Sequence, residues 1–233
     1  MNFLFAATLV FMSQVVGAQV APNPNEIYVK NISANGSGCP AGTARSVLSP
    51  DGKTMSLLFD DYISQIDTSQ QILDQKKCLV TIEMNIPAGW SYSLVSADYR
   101  GFAELDAHTM GTQEIVYMFG PVIEERPVPL RNFSVVGPRN LKPTRVRTAT
   151  FSSRIVKGPF SGDYSFTNMV TVGEMPWSSC DSRLNRDLNI HTSLMTRSLT
   201  RVPTREKGMA LIALDTIDAT IAQRFDIAWK QCP

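Results

Sequence analysis

Histidine is nearly absent: His108 and His191 are the only two in 233 residues. A Ser-His-Asp site needs one histidine within reach of both partners. Ser193 lies near His191 and Asp106 near His108, but the chain has no Gly-x-Ser-x-Gly elbow. A metal site using both would need carboxylates brought in by folding. Both are therefore expected to be surface or loop residues, and no catalytic or metal-ligating residue is assigned. The four cysteines include no Cys-x-x-Cys pair, which removes support for a zinc site or a thioredoxin-like motif. After residue 18 no apolar run approaches the length of about 18 residues that a membrane helix requires, so the mature chain is expected to lack a transmembrane segment. No internal repeat is found. The net charge of +1 names no partner.

What is present begins with an apolar run from Phe3 to Val16, closed by Val16-Gly17-Ala18 and followed by Gln19. Its apolar core is too short to span a bilayer, and its small residues sit where a signal peptidase reads. Residues 1–18 are expected to be a cleaved signal peptide, which makes the protein exported, periplasmic or extracellular. Residues 19–35 are expected to be an extended lead-in, rich in Pro and Asn at its start, and 36–233 a single secreted domain. In an oxidising compartment Cys39, Cys78, Cys180 and Cys232 would form two disulfides. Three connectivities are open, and the sequence does not choose among them. The pairing expected is Cys39–Cys78 with Cys180–Cys232. Each bridge would close a loop of roughly 40 to 50 residues, worth on the order of 4 kcal/mol.

The dominant period is two. From Cys78 to Ile86 apolar and mostly polar residues alternate, which predicts a strand with one buried face. Further strands are expected at residues 27–29, 44–48, 54–59, 90–95, 115–119, 164–172, 188–194, 209–214 and 224–230. The Asp51-Gly52 turn should pair the second and third of these. Residues 63–73 carry only a poor helical stripe, and 210–222 reads as strand, turn, strand. Six prolines between Pro121 and Pro159 argue for edge strands and extended loops. Together these predict an all-β, antiparallel, jelly-roll-like sandwich with few or no helices. Its expected core includes Val80, Ile82, Trp90, Tyr92, Leu94, Phe119, Ile190 and Trp229.

Several sequence blocks carry a resemblance: Gly36-Ser37-Gly38-Cys39-Pro40-Ala41-Gly42-Thr43, Pro87-Ala88-Gly89-Trp90, Asp98-Tyr99-Arg100-Gly101-Phe102, Leu105-Asp106, Trp177-Ser178-Ser179-Cys180 and Leu188-Asn189-Ile190-His191-Thr192-Ser193-Leu194. Together, over residues 36–233, they resemble a family of uncharacterised secreted bacterial and fungal proteins, a domain of unknown function. Ser179, Asp181 and His191 depart from that pattern, which has Pro, Gly and Asn there. The resemblance implies a secreted, cysteine-containing, β-rich domain and carries no activity.

Asp98, Tyr99, Arg100, Phe102 and Asp106 form the candidate ligand site. An aromatic ring can stack on the apolar face of a sugar while Asp and Arg hydrogen-bond its hydroxyls. The alternative is structural: Arg100 pairs with Asp98 or Asp106 and holds a β-corner, with Gly101 at positive φ. Asp106 and nearby carbonyls could bind calcium, but no Asp-x-Asp-x-Asp-Gly loop occurs, and no cofactor is expected.

Charge is asymmetric. Residues 1–125 hold 6 basic and 13 acidic side chains, and residues 126–233 hold 16 and 8. No acid interrupts the chain from Arg126 to Gly162. Within that run Arg139, Lys142, Arg145 and Arg147 are candidates for binding an anionic envelope polymer; the alternative is a charged edge that resists aggregation. The leading functional expectation is a non-catalytic binding protein for an envelope or extracellular glycan or polyanion. The rivals are a secreted hydrolase of extracellular polymers, using acid pairs such as Asp98 with Glu104 or Asp60 with Asp61, and a structural or adhesive protein. Peptide mass spectrometry without reduction should return linked Cys39–Cys78 and Cys180–Cys232 peptides; a Cys39–Cys180 peptide would refute that pairing.

Overall fold

Alternation of apolar and polar residues becomes pleat in the described strands. A computed structural model describes residues 21–120, 148–171, 173, 175–200, 208–214 and 223–233, with backbone alone for 148–153. The expected signal peptide lies outside the described residues. The strands are β1 (Tyr28–Asn35), β2 (Ala44–Leu48), β3 (Thr54–Phe59), β4 (Ile63–Asp67), β5 (Leu73–Asn85), β6 (Trp90–Leu105), β7 (Thr109–Phe119), β8 (Thr148–Lys157), β9 (Phe160–Met169), β10 (Leu188–Ser198), β11 (Met209–Ala213) and β12 (Gln223–Gln231). A 3-10 turn spans Pro24–Glu26. Part of the stretch expected as a lead-in is therefore a sheet strand, β1.

Every strand pair is antiparallel. One sheet has the order β1-β5-β10-β7-β8, and the other runs β2-β3-β12-β6-β11-β4 with β9 also on β6. They stack as a sandwich. On β5 the inward Cys78, Val80, Ile82 and Met84 are buried, while Lys77 and Glu83 are exposed. The β2–β3 hairpin turns through Gly52 at φ 65, a left-handed conformation that favours glycine. Of the expected core, Tyr92, Leu94, Val80, Ile82 and Ile190 are fully buried, and Phe119 and Trp229 pack against it. Trp90 is only partly buried and stays outside that cluster. β8, from the proline-rich stretch, is an edge strand.

β6 is the longest strand. Its first half pairs with β12 from Trp90 to Tyr99, and its end pairs with β11 from Phe102 to Leu105. Its other edge pairs with β9 from Ser96 to Leu105. Beyond β9 the same edge is continued by Val170, which donates to the Val95 carbonyl, and by Ser178, which donates to the Tyr92 carbonyl. Disulfides pin the two flanks. Cys39–Cys78 ties the loop after β1 to β5, and Cys180–Cys232 ties the segment beside β6 to the end of β12.

The interior contains several phenols. Tyr62 donates to the Thr192 carbonyl at 2.9 Å, Tyr117 to the Leu94 carbonyl, and Tyr164 to Gln113 Oε1 at 2.9 Å. Each bond crosses from one sheet to the other. Ser64 and Thr196 add another crossing at 3.0 Å. A buried hydroxyl left without a partner costs about 1–3 kcal/mol, so these bonds select the way the sheets stack. Burial pushes the Tyr117 hydroxyl up to about 12 and raises Tyr62, Tyr92, Tyr99 and Tyr164 further.

The folded state thus holds these protons more tightly than the unfolded chain, whose tyrosines ionise near pH 10. Their contribution is fully present below that pH and is lost as pH climbs through the folded values. Tyr117 alone accounts for roughly 3 kcal/mol across its two-unit shift. Denaturant titrations should therefore show stability flat from neutrality to about pH 9 and falling steeply above about pH 10, with a shallower fall in Tyr117→Phe. Stability that holds through pH 11 would contradict the buried phenols.

Candidate functional site

The Asp98-to-Phe102 block does not turn a corner: it lies inside uninterrupted β6. Gly101 is not among the positive-φ glycines. It is required by space, because a Cβ there would fall 2.4 Å from the Ala213 carbonyl oxygen and 2.5 Å from the Tyr164 hydroxyl. The alternation changes phase just before the block, at a register shift between Leu94 and Ser96, so that inward Tyr92 and Leu94 are followed by inward Ala97 and Tyr99. Within the block, glycine admits the close approach of β9 and β11.

Pleating divides the five candidate residues. Asp98, Arg100 and Phe102 project from the outer face at two-residue intervals. Arg100 and Phe102 are exposed and Asp98 is half-buried. Tyr99 points the other way. It is buried and stacks on Phe166 with ring centroids 4.4 Å apart. Asp106 lies just past the strand, where it anchors a turn: its carboxylate accepts from the Met209 amide at 2.7 Å and its carbonyl from the Thr109 hydroxyl at 2.7 Å. Eight residues of strand separate Asp98 from Asp106, about 26 Å at about 3.3 Å per residue. The ion pair of Arg100 with Asp98 or Asp106, offered as the structural alternative, is not formed. Asp98 instead accepts from the Thr167 hydroxyl, and Arg100 makes no ion pair among the described residues.

The neighbours on this face come from β9: Thr167 stands opposite Asp98, Ser165 opposite Arg100, Asp163 opposite Phe102 and Ser161 opposite Glu104. From the other side, Arg224 stands opposite Asp98. The result is a flat surface of hydroxyls, carboxylates and guanidinium groups with one exposed phenyl ring.

The pieces considered for catalysis are not assembled in the same way. Asp98 and Glu104 are six residues apart on one strand, about 20 Å, beyond the roughly 5–10 Å that glycosidase carboxyl pairs span. Asp60 receives two bonds from Arg45 at 2.9 and 3.0 Å, and Asp61 sits in a turn at φ 65. His108 occupies the β6–β7 turn at φ 62. His191 lies opposite Val116, eight residues beyond His108 and about 26 Å along the strand. Burial lowers the His191 pKa. Among the described residues no three His, Cys, Asp or Glu side chains come together to hold a metal ion.

Arg139, Lys142, Arg145 and Arg147 lie outside the described residues. From the same basic run, Arg154 is exposed, with its guanidinium 5.8 Å from the centre of the Phe166 ring.

A cleft of about 390 Å³, formed where the β1–β5 edge meets the loop before β10, escaped the sequence reading. Lys30, Glu83, Asn85, Asn185, Arg186 and Asp187 supply its polar lining. Lys30 and Glu83 pair at 3.5 Å. Arg186 donates to the Trp90 carbonyl, and its buried Nε has no hydrogen-bond partner among the described residues. Burial lowers the pKa of that guanidinium. Nothing local in sequence joins residue 30 to 83 and 186, since only sheet pairing brings them together.

Comparison with known proteins places this architecture among proteins whose names give no activity. An "Uncharacterized secreted protein" of Arthroderma benhamiae is 30% identical over 217 residues, covering 93% of this chain and 76% of the relative. A chain of a heated Israeli acute paralysis virus particle aligns with 99% of this chain and 82% of its own length at 10% identity, with a TM-score of 0.24. A chain of infectious bursal disease virus aligns with 95% of this chain and 59% of its own, also at 10% identity, with a TM-score of 0.25. Likeness at that level carries no argument about this protein. The two disulfides and the secreted relative fit an exported protein. The family profile described as "Domain of unknown function (DUF4360)" matches residues 25–232, and the chain belongs to that family.

Proposed function

We propose that this secreted protein is a non-catalytic binding module for an extracellular or envelope glycan, which lies across the outer face of β6 and β9. The observation that supports this reading is the exposed guanidinium of Arg100, without an acid partner among the described residues and one pleat step from exposed Phe102. A sugar ring presents an apolar C–H face to the phenyl ring and hydroxyls to Arg100, Asp98 and Ser165. Hydrogen bonds to a charged group contribute about 1.5–3 kcal/mol. The strand is bonded along both edges, so little of that is lost in ordering the site. Tyr99 and Asp106, included in the site on sequence grounds, do not belong to this binding face: one is a core residue and the other anchors a turn.

The polar cleft around Arg186 favours a second placement for the same ligand class. A partly desolvated guanidinium beside Asn85, Asn185 and Lys30 suits an acidic sugar.

Glycan-array binding followed by titration separates the two. If the β6 face is the site, Arg100→Ala and Phe102→Ala each weaken binding about tenfold or more, equivalent to about 1.4 kcal/mol, and Arg186→Ala leaves it unchanged. Loss with Arg186→Ala alone moves the site to the cleft. Binding unaffected by all three variants removes both placements.

A further inference from the structure

β1 is the free edge of its sheet among the described residues, because it pairs only with β5. Such an edge exposes unpaired backbone groups to any other strand. Its first half is shielded by Lys30 and by a register shift between Val29 and Asn31. From Asn31 to Asn35 the strand reads Asn-Ile-Ser-Ala-Asn, with no charge, no proline and no further irregularity.

Two separate signals begin in that half. Asn31-Ile32-Ser33 and Asn35-Gly36-Ser37 both fit Asn-x-Ser with x other than proline, the acceptor pattern for N-linked oligosaccharide. Short sequence patterns of this kind arise by chance, so placement decides whether they can be used. Ile32 and Ala34 turn inward and are half-buried, while Asn31, Ser33, Asn35 and Ser37 are all exposed. Period-two geometry puts Asn31, Ser33 and Asn35 on one face of β1. Neither asparagine's side-chain amide has a hydrogen-bond partner among the described residues. A substituent on either amide would thus extend into solvent without disturbing a contact. A third such pattern, Asn132-Phe133-Ser134, lies outside the described residues.

We propose that the outer face of β1 is N-glycosylated, with Asn31 and Asn35 as the acceptor amides. The co-reactant that the proposal requires is an oligosaccharide carried on a lipid pyrophosphate. The asparagine side-chain nitrogen attacks the anomeric carbon of the sugar. A C–N bond forms, and the C–O bond to the pyrophosphate breaks. The lipid pyrophosphate leaves with the electron pair, and the amide proton passes to a base of the transferase. The attached sugar then screens a polar edge that neither charge nor proline protects, and so hinders strand-to-strand association. This assignment is independent of where the protein binds its ligand.

The test uses protein recovered from the culture medium of its source, or from a secreting yeast. After peptide N-glycosidase treatment and trypsin, the peptide spanning residues 31–45 should carry Asp at position 31, at position 35 or at both. Asn31→Gln with Asn35→Gln should abolish the corresponding loss of gel mobility and raise the fraction of aggregated protein. Ser33→Ala with Ser37→Ala should reproduce the mobility change while keeping both asparagines. An unconverted peptide from secreted protein with both disulfides intact overturns the proposal, as does a mobility shift that persists unchanged in the double asparagine variant with the glycan still on this peptide.

Discussion

A phenol buried between two sheets costs about 1–3 kcal/mol when its hydroxyl finds no partner there, and the hydroxyls that find one govern how the sandwich closes. Tyr62, Tyr117 and Tyr164 each reach an acceptor on the facing sheet. Apolar contacts alone are tolerant of sliding, because one methyl group replaces another at small cost. A hydroxyl aimed at a single carbonyl is not, because a shift of a few ångströms breaks the bond and strands both groups. The aromatic cluster of Tyr92, Phe119 and Trp229, with centroids 4.9 and 5.4 Å from Tyr92, supplies bulk. The tyrosine hydroxyls supply alignment.

The stacking has a direct effect on the candidate site. Inward residues of β6 are committed to the interior, so its outward residues inherit a platform they do not have to stabilise. Arg100 and Phe102 can therefore remain exposed without cost to the core. The cleft around Arg186 is built differently. It depends on a loop before β10 and on the edge of the other sheet, held in place by short side-chain bonds such as Asn185 to Asp187. One surface is a rigid face, and the other is a seam.

Strand existence was legible from alternation in β5, and the disulfide pairing expected from the sequence is the one formed. The hairpin of β2 and β3 followed from its Asp-Gly turn. The misreading of Asp98 to Phe102 has a physical origin. A glycine between an arginine and a phenylalanine resembles a bend when the sequence is all that is seen, whereas Gly101 answers to Tyr164 and Ala213. Those neighbours are more than sixty and one hundred residues away in the chain. Tyr99 likewise looked like part of a sugar-binding set because side-chain chemistry does not reveal which face of a strand a residue takes. Its neighbour Arg100 shows the converse, since the same one-residue step places it in water. Period two counted on from buried Tyr92 and Leu94 would turn Asp98, Arg100 and Phe102 inward; the register shift between Leu94 and Ser96 reverses the faces, and side-chain chemistry does not announce it.

The sharing of β6 also bears on how the chain can change length. Adding a single residue near its middle would reverse the facing of everything beyond it. That would upset the ladders with β9 and β11 together and turn Ala103 and Leu105 outward. The same addition in β2, which pairs with β3 alone, would disturb one ladder. Natural variants with insertions should accordingly keep the span from Trp90 to Leu105 constant and vary at the connectors.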